Sequence, residues 1–341
     1  MPYPASILYN EHFCIIDKIK KKGGPIPIPI PSLLQQFRSF YVRNYPDDLE
    51  KAVDYFAVFG GLGWEIDTDR PLIELIEELI LDNYGHLHNQ IIDMTLGDSL
   101  NHALLSGIAL GDRRTHSAYK RARVSEKTGD PAIRYLCSTG IIERETSREV
   151  PPQREHPNQK FKKEIEKHNI SDKLHFTTPF LRFWFAFVSP LYKRIQEGNY
   201  AEFKSRFCER QQSFASLIFE ELSIELLKKS FREDPVLEVG SYWDRQVEID
   251  ILAKTQSGKI IAGECKYTNT KINKSELTKL KEKCALAGFE PDIYILFSKR
   301  GFSNELKSLK DENLRLVSVK NFKQLLEEVT PAEKIKGFPK P

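Results

Sequence analysis

Apolar residues in the first hundred positions recur at intervals of three and four, the period of an amphipathic helix. Leu33, Leu34, Phe37 and Tyr41 follow Ser32, a residue suited to capping a helix start. Leu49, Val53, Phe56 and Val58 mark a second helix, from about Asp47 to Phe59, which Gly60-Gly61 stops. Pro71 suits the first turn of a third helix reaching Asn83, and Ile91, Ile92, Met94 and Leu96 form a fourth apolar stretch. His86 and His88 read as loop histidines, since no cysteine or carboxylate cluster accompanies them. The helical period continues in three further segments, Leu100 to Leu110, Thr115 to Val124 and Asp130 to Thr139. The aromatic run Phe180-Leu181-Arg182-Phe183-Trp184-Phe185-Ala186-Phe187-Val188 reads as core, and Ser213 to Lys229 as a long helix.

From residue 236 the pattern changes to short apolar runs bounded by turn residues, as expected of strands. These are Val236 to Gly240, Val247 to Leu252, Ile260 to Tyr267, Pro291 to Ser298 and Leu314 to Val319. The polar segment 253–259, with Gly258, joins the second and third runs as a hairpin connection should. A helix from Ser275 to Ala287, another starting at Ser303 and a last one through Leu325 and Leu326 complete an α-β-β-β-α-β-α-β-α order.

The pattern predicts an α+β, multidomain chain. An N-terminal segment and proline-rich linker (1–31) precede a helical region (32–99). Residues 100–200 then read as a winged helix-turn-helix with an aromatic connecting helix. Its strands begin at Gly140-Ile141-Ile142 and return at Leu174-His175-Phe176-Thr177, with a long polar wing between them. An α/β domain with a central mixed sheet (201–330) and a tail (331–341) follow. Alternating prolines from Pro25 to Pro31 cannot join a helix or a central strand, so they predict an extended spacer or a docking ligand for a protein partner.

Composition narrows the function classes. The 341 residues are 40% hydrophobic and 29% charged, as in a globular protein, and no run is apolar and long enough to predict a membrane span. The start Met1-Pro2-Tyr3-Pro4 is not that of a signal peptide, and five scattered cysteines without a C-x-x-C pair predict neither a disulfide framework nor structural zinc. A cytoplasmic location is the simplest expectation. A net charge of only +3 means that any nucleic-acid surface is local. The basic concentration at Arg113, Arg114, Lys120, Arg121, Arg123, Lys127 and Arg134 is the expected DNA contact, with the third helix in the major groove.

Candidate chemistry lies on the hairpin. Strand alternation puts Glu264 and Lys266 on one face, and Asp250, on the neighbouring strand, can reach it; Glu248 should face the same side as Asp250. Two carboxylates suit a hard cation, Mg²⁺ or Mn²⁺, and the ammonium can orient a water or stabilise a developing anion.

Asp250, a hairpin and Glu264-Cys265-Lys266 resemble the PD-(D/E)xK nuclease superfamily. Asp54-Tyr55-Phe56-Ala57-Val58-Phe59-Gly60-Gly61, the helix-turn-helix, Phe180 to Phe185, Glu248-Ile249-Asp250 and Phe297-Ser298-Lys299-Arg300-Gly301-Phe302 then follow the order seen in the C-terminal part of archaeal-type ATPases carrying a DUF234 domain. The resemblance covers about residues 38–325. It implies a metal-dependent DNA endonuclease in which Asp250, Glu264 and the Cys265 carbonyl hold the metal, Lys266 positions the attacking water and Glu220, or failing it Glu221, assists from its helix. Arg245 or the lysines of 271–283 would hold phosphate. Those ATPases begin with a P-loop domain, but no G-x-x-x-x-G-K-[ST] occurs here, so the helices of 32–98 would correspond to the ATPase lid and no ATP site is expected in this chain. The alternatives are an inactive nuclease fold that binds DNA or regulates, or a partner-binding defence or toxin component. A homodimer is compatible with either.

Overall fold

The computed structural model describes residues 30–149, 156 and 170–327. Cys14, most of the proline run, most of the predicted wing and the C-terminal tail lie outside the described residues.

The helical region contains α1 (Leu33–Asn44), α2 (Leu49–Phe59), α3 (Leu72–Ile76) and α4 (Tyr84–Thr95). Ser32 and Gln35 close a capping box on α1, and Asp48 caps α2. Two readings change here. The single helix predicted to reach Asn83 widens into a π-helical turn, Glu77–Leu81, which buries Ile80 and Leu81. His86 and His88 sit on α4 rather than in a loop, and His88 stacks on Tyr84 with ring centroids 4.9 Å apart.

Helices α5 (Ser99–Leu110), α6 (Thr115–Ala122) and α7 (Glu126–Thr139) precede a two-stranded antiparallel ribbon of β1 (Ile142–Glu145) and β2 (Lys173–Phe176). The aromatic run becomes α8 (Pro179–Phe183), which opens into a π-helical turn, Trp184–Val188. All of its aromatic side chains are buried, as expected. Gly60 ends α2 against this segment. A Cβ there would meet Phe56 O and Pro179 Cγ, each at 2.6 Å, so the closeness of the two helices requires glycine.

A short helix, α9 (Tyr192–Gln196), leads into α10 (Ala201–Ser230), a 30-residue helix that begins a dozen residues before its predicted start. Phe203 and Phe207 anchor this extra length by packing edge-on against Phe183 and Phe187. The five-stranded sheet follows in chain order: β3 (Val236–Trp243), β4 (Glu248–Thr255), β5 (Ile260–Lys266), β6 (Ile293–Ser298) and β7 (Leu314–Ser318). The first three strands are antiparallel neighbours, and β5, β6 and β7 run parallel. Gly258 closes the β4–β5 hairpin at φ +91°, a conformation that residues with a Cβ rarely adopt. Helices α11 (Lys274–Leu286) and α12 (Asn304–Ser308) make the crossovers, and a 3₁₀ helix, Val319–Leu326, replaces the α-helix expected at the end.

The sheet separates two cores. One runs continuously from the N-terminal helices through α8 and α10 to Ile251, Ile261, Ile295 and Phe297. The other packs Leu252, Ala262 and Leu296 against Leu277, Leu280 and Cys284 of α11. No helix among the described residues is long and apolar enough to cross a membrane.

Phe183 is fully buried and holds four aromatic neighbours: Phe187, Phe203, Phe207 and Phe214. We expect Phe183→Ala to lower unfolding free energy by about 3–5 kcal/mol, measured by urea denaturation. Gly60→Ala should also destabilise, because backbone as well as a ring must move.

Candidate functional site

An irregularity in β4 shapes the site. Gly240 pairs with Leu252, but Tyr242 pairs with Ile249, so three steps on β4 oppose two on β3. The extra residue breaks the alternation: Ile251 packs in the α10-side core and Ile249 in the α11-side core. Asp250 lies between them, re-aimed by the bulge. Its Oδ2 accepts a 2.8 Å hydrogen bond from the Cys265 backbone N–H, which ties it to β5. Glu248 takes Lys173 Nζ at 2.7 Å and Arg114 Nη2 at 3.1 Å, and Glu220 of α10 feels the charge of Glu248 as Asp250 feels that of Glu220.

Glu264 is only 5% exposed, and a carboxylate so buried needs cations in place. It has two. Lys266 Nζ lies 2.7 Å from Oε1, and Lys283 Nζ lies 3.0 Å from Oε1 and 2.8 Å from Oε2. Lys266 also reaches Glu276 Oε2 at 3.5 Å. Burial works against the Lys266 ammonium, but the charges of Glu264, Asp250 and Glu276 outweigh it and raise its pKa. Lys266 is therefore a charged donor at neutral pH rather than a base. Asp250 has no such neutralisation. Burial, then the charges of Glu264 and Glu220, push its carboxyl up to about 8. Burial, followed by the charges of Asp250 and Glu220, pushes the Cys265 thiol far up.

Glu276 and Lys283 were not picked out individually from the sequence. A signal existed: they are seven residues apart on α11 and flank its apolar stripe of Leu277, Leu280 and Cys284, so both border the sheet.

Glu220 faces a second group of charges. Its Oε1 lies 3.8 Å from Arg113 Nη2, and burial raises its carboxyl against the opposing pull of Arg113 and Lys173. His175 joins three elements there: Nε2 lies 2.8 Å from Glu145 Oε2 on β1, and Nδ1 lies 3.3 Å from Glu221 Oε1 on α10 and 3.2 Å from Arg113 Nη1. Lys173, fully buried, stands 4.5 Å from the centroid of the Trp243 ring and contacts Ser241 as well as Glu248. Arg182, pushed down to about 10 by burial and then by Arg113, donates to Phe214 O at 2.9 Å. Lys173 and His175 alternate on one face of β2, the pattern that would have flagged them as inward-facing polar residues.

The seven basic residues assigned to DNA thus divide. Arg113 and Arg114 turn inward to Glu220 and Glu248. Lys120, Arg121, Arg123, Lys127 and Arg134 are exposed, Arg134 beside Asp130 of its own helix.

The donor set at Asp250 and Glu264 is hard carboxylate oxygen from adjacent strands. Burial and the neighbouring acids favour the protonated form of Asp250, and a divalent cation would supply the positive charge that lets it ionise. Among the described residues no three His, Cys, Asp or Glu side chains converge on one point, so such a cation would keep several waters, as Mg²⁺ does.

Residues 184–280 match the DUF234 family, described as "Archaea bacterial proteins of unknown function"; the matched span contains Glu220, Asp250, Glu264 and Lys266. No curated protein and no solved structure matches the chain.

The His175 network gives a pH signature. Burial alone would lower the His175 pKa, but its bonds to Glu145 and Glu221 raise it. Burial alone would raise Glu145, but its bond to His175 lowers it. A raised histidine stabilises fully below its unfolded pKa of about 6.5 and loses this as pH rises through its folded value; a lowered glutamate loses its contribution as pH falls below about 4.5. The stability difference between wild type and His175→Gln should therefore peak between about pH 4.5 and 6.5 and shrink on both sides, as read from urea midpoints across pH.

Proposed function

We propose that the protein is a metal-dependent nuclease of PD-(D/E)xK type that hydrolyses phosphodiester bonds in DNA, with residues 100–178 acting as a winged helix-turn-helix beside it. One observation carries this reading. Asp250, beside a bulge and tied to the Cys265 N–H, shares a strand edge with Glu264 and a charged Lys266, and no lysine makes contact with it. The antiparallel-then-parallel sheet, with α10 on one face and α11 on the other, supports it further.

Asp250, Glu264 and the Cys265 carbonyl would hold the cation. When bound, Mg²⁺ or Mn²⁺ supplies an activated water and stabilises charge on a phosphoryl oxygen. Lys266, kept cationic by Glu264 and Glu276, orients the attacking water by donating to it and faces the charge that develops on phosphate. Lys283 holds Glu264 in place from α11. Glu220 adds negative potential beside Asp250, and Arg113 fixes its position from the helix-ribbon unit.

A second reading, a nuclease fold that binds DNA without cleaving it, has one observation in its favour: both Glu264 oxygens already accept from lysines. The two readings part on cleavage. With Mn²⁺ and a labelled DNA duplex, the wild type should nick or cut, and Asp250→Ala or Lys266→Ala should slow this by about 10²-fold or more. Mn²⁺ should also raise the unfolding temperature of wild type but not of Asp250→Asn. Cleavage by Asp250→Ala at the wild-type rate removes the catalytic reading; metal-independent binding without cleavage selects the second.

A further inference from the structure

A cavity of about 450 Å³ opens beside the candidate site, and the chemistry above does not use it. Its wall includes Lys271, Arg300, Lys307 and Lys310, with Ser318 and Asn321, and no carboxylate. Among the described residues Arg300 alone of the four cations is ion-paired, to Glu50 at 3.1 Å. Like charges gathered around one cavity repel each other, and an anion relieves that cost.

The wall is fixed by paired backbone. Ile272 N–H donates to Gly301 O at 2.9 Å and Ser303 N–H to Ile272 O at 2.8 Å, which joins the segment carrying Lys271 to the turn carrying Arg300. Gly301 makes that turn at φ +80°. Lys307 stands on α12 and Lys310 just beyond it, and Ser318 ends β7.

The cavity lies at the carboxyl ends of the parallel strands, where open α/β sheets bind ligands. Lys266 pairs in register with Ser298, and Ser298 with Ser318. Two strand spacings therefore separate the candidate catalytic lysine from the cavity wall, about 10 Å. That equals the axial rise of about three nucleotides on one strand of B-form DNA.

We propose that this cavity holds backbone phosphates of the DNA strand a few nucleotides from the bond presented to Asp250, Glu264 and Lys266. The assignment rests on the nuclease reading for its ligand, but its test does not depend on cleavage.

The experiment measures binding of a fluorescent DNA duplex to the full chain in EDTA, by anisotropy over a series of salt concentrations. The variant is Lys271→Glu/Lys307→Glu/Lys310→Glu. The control, Lys193→Glu/Lys254→Glu/Lys259→Glu, makes the same charge change away from the cavity. We expect the cavity variant to lose about tenfold or more in affinity and to lower the log–log salt slope by about 2–3, while the control keeps its slope. An unchanged slope, an equal loss in both variants, or no duplex binding by wild type overturns the proposal. Binding of inorganic pyrophosphate to the wild type, read by calorimetry, without any DNA binding also overturns it, in favour of a small phosphate ligand. If the triple variant unfolds, Lys307→Ala and Lys310→Ala singly carry the same measurement, each expected to lower the slope by about 0.9. DNA binding lost in the cavity variant but unaccompanied by Mn²⁺-dependent cleavage in wild type leaves the cavity assigned and ends the catalytic reading; cleavage with unchanged binding does the reverse.

Discussion

A carboxylate buried inside a sheet must find cations within reach, and much of the site's arrangement serves Glu264 in this way. Lys266 comes from its own strand, two residues on, and Lys283 comes from the crossover helix α11. That helix has to lie where it does for both its apolar stripe and its lysine to meet β5. Asp250 is a second acid with no lysine in contact, and burial together with Glu264 and Glu220 favours its protonated form. The polarity of this edge is thus set by an acid pair of which the protein's cations hold only one member.

The bulge in β4 links that chemistry to the rest of the molecule. In regular alternation Ile249 and Ile251 would share a face. With one extra residue, each isoleucine fills a different core. Just before the irregularity, Glu248 takes Lys173 and Arg114 and so docks the helix-ribbon unit beside Asp250. A buried ion pair of this kind adds little net stability over an apolar contact, but removing one partner is costly, so it fixes geometry more than it strengthens the fold.

Charge on the helix-ribbon unit divides by the same logic. Cations near the ribbon face the acids of α10 and β4, and those on α6, α7 and the segment between them face outward. Net charge could not reveal this, because the inward cations are cancelled locally. The carboxylate-free basic cavity at the ends of β6 and β7 escapes notice for a related reason: its four cations come from three separate segments.

The sequence by itself determined the elements and their order. Apolar periods of 3.6 and 2 depend only on local spacing, so the helices, the five strands and the buried aromatic run were legible, as was the proximity of Glu264 to Lys266 on one strand face. Boundaries moved where packing overrode local pattern: α10 grew backward because Phe203 and Phe207 found Phe183 and Phe187, and α3 widened into a π turn to bury Ile80 and Leu81. Only the tertiary structure decided where Asp250 points, that Lys283 closes on Glu264, and that Arg113 reaches Glu220. Each of these depends on a bulge or on a contact between residues distant in the chain, and a one-residue change of register, invisible in composition and period, exchanges the faces on which charges meet.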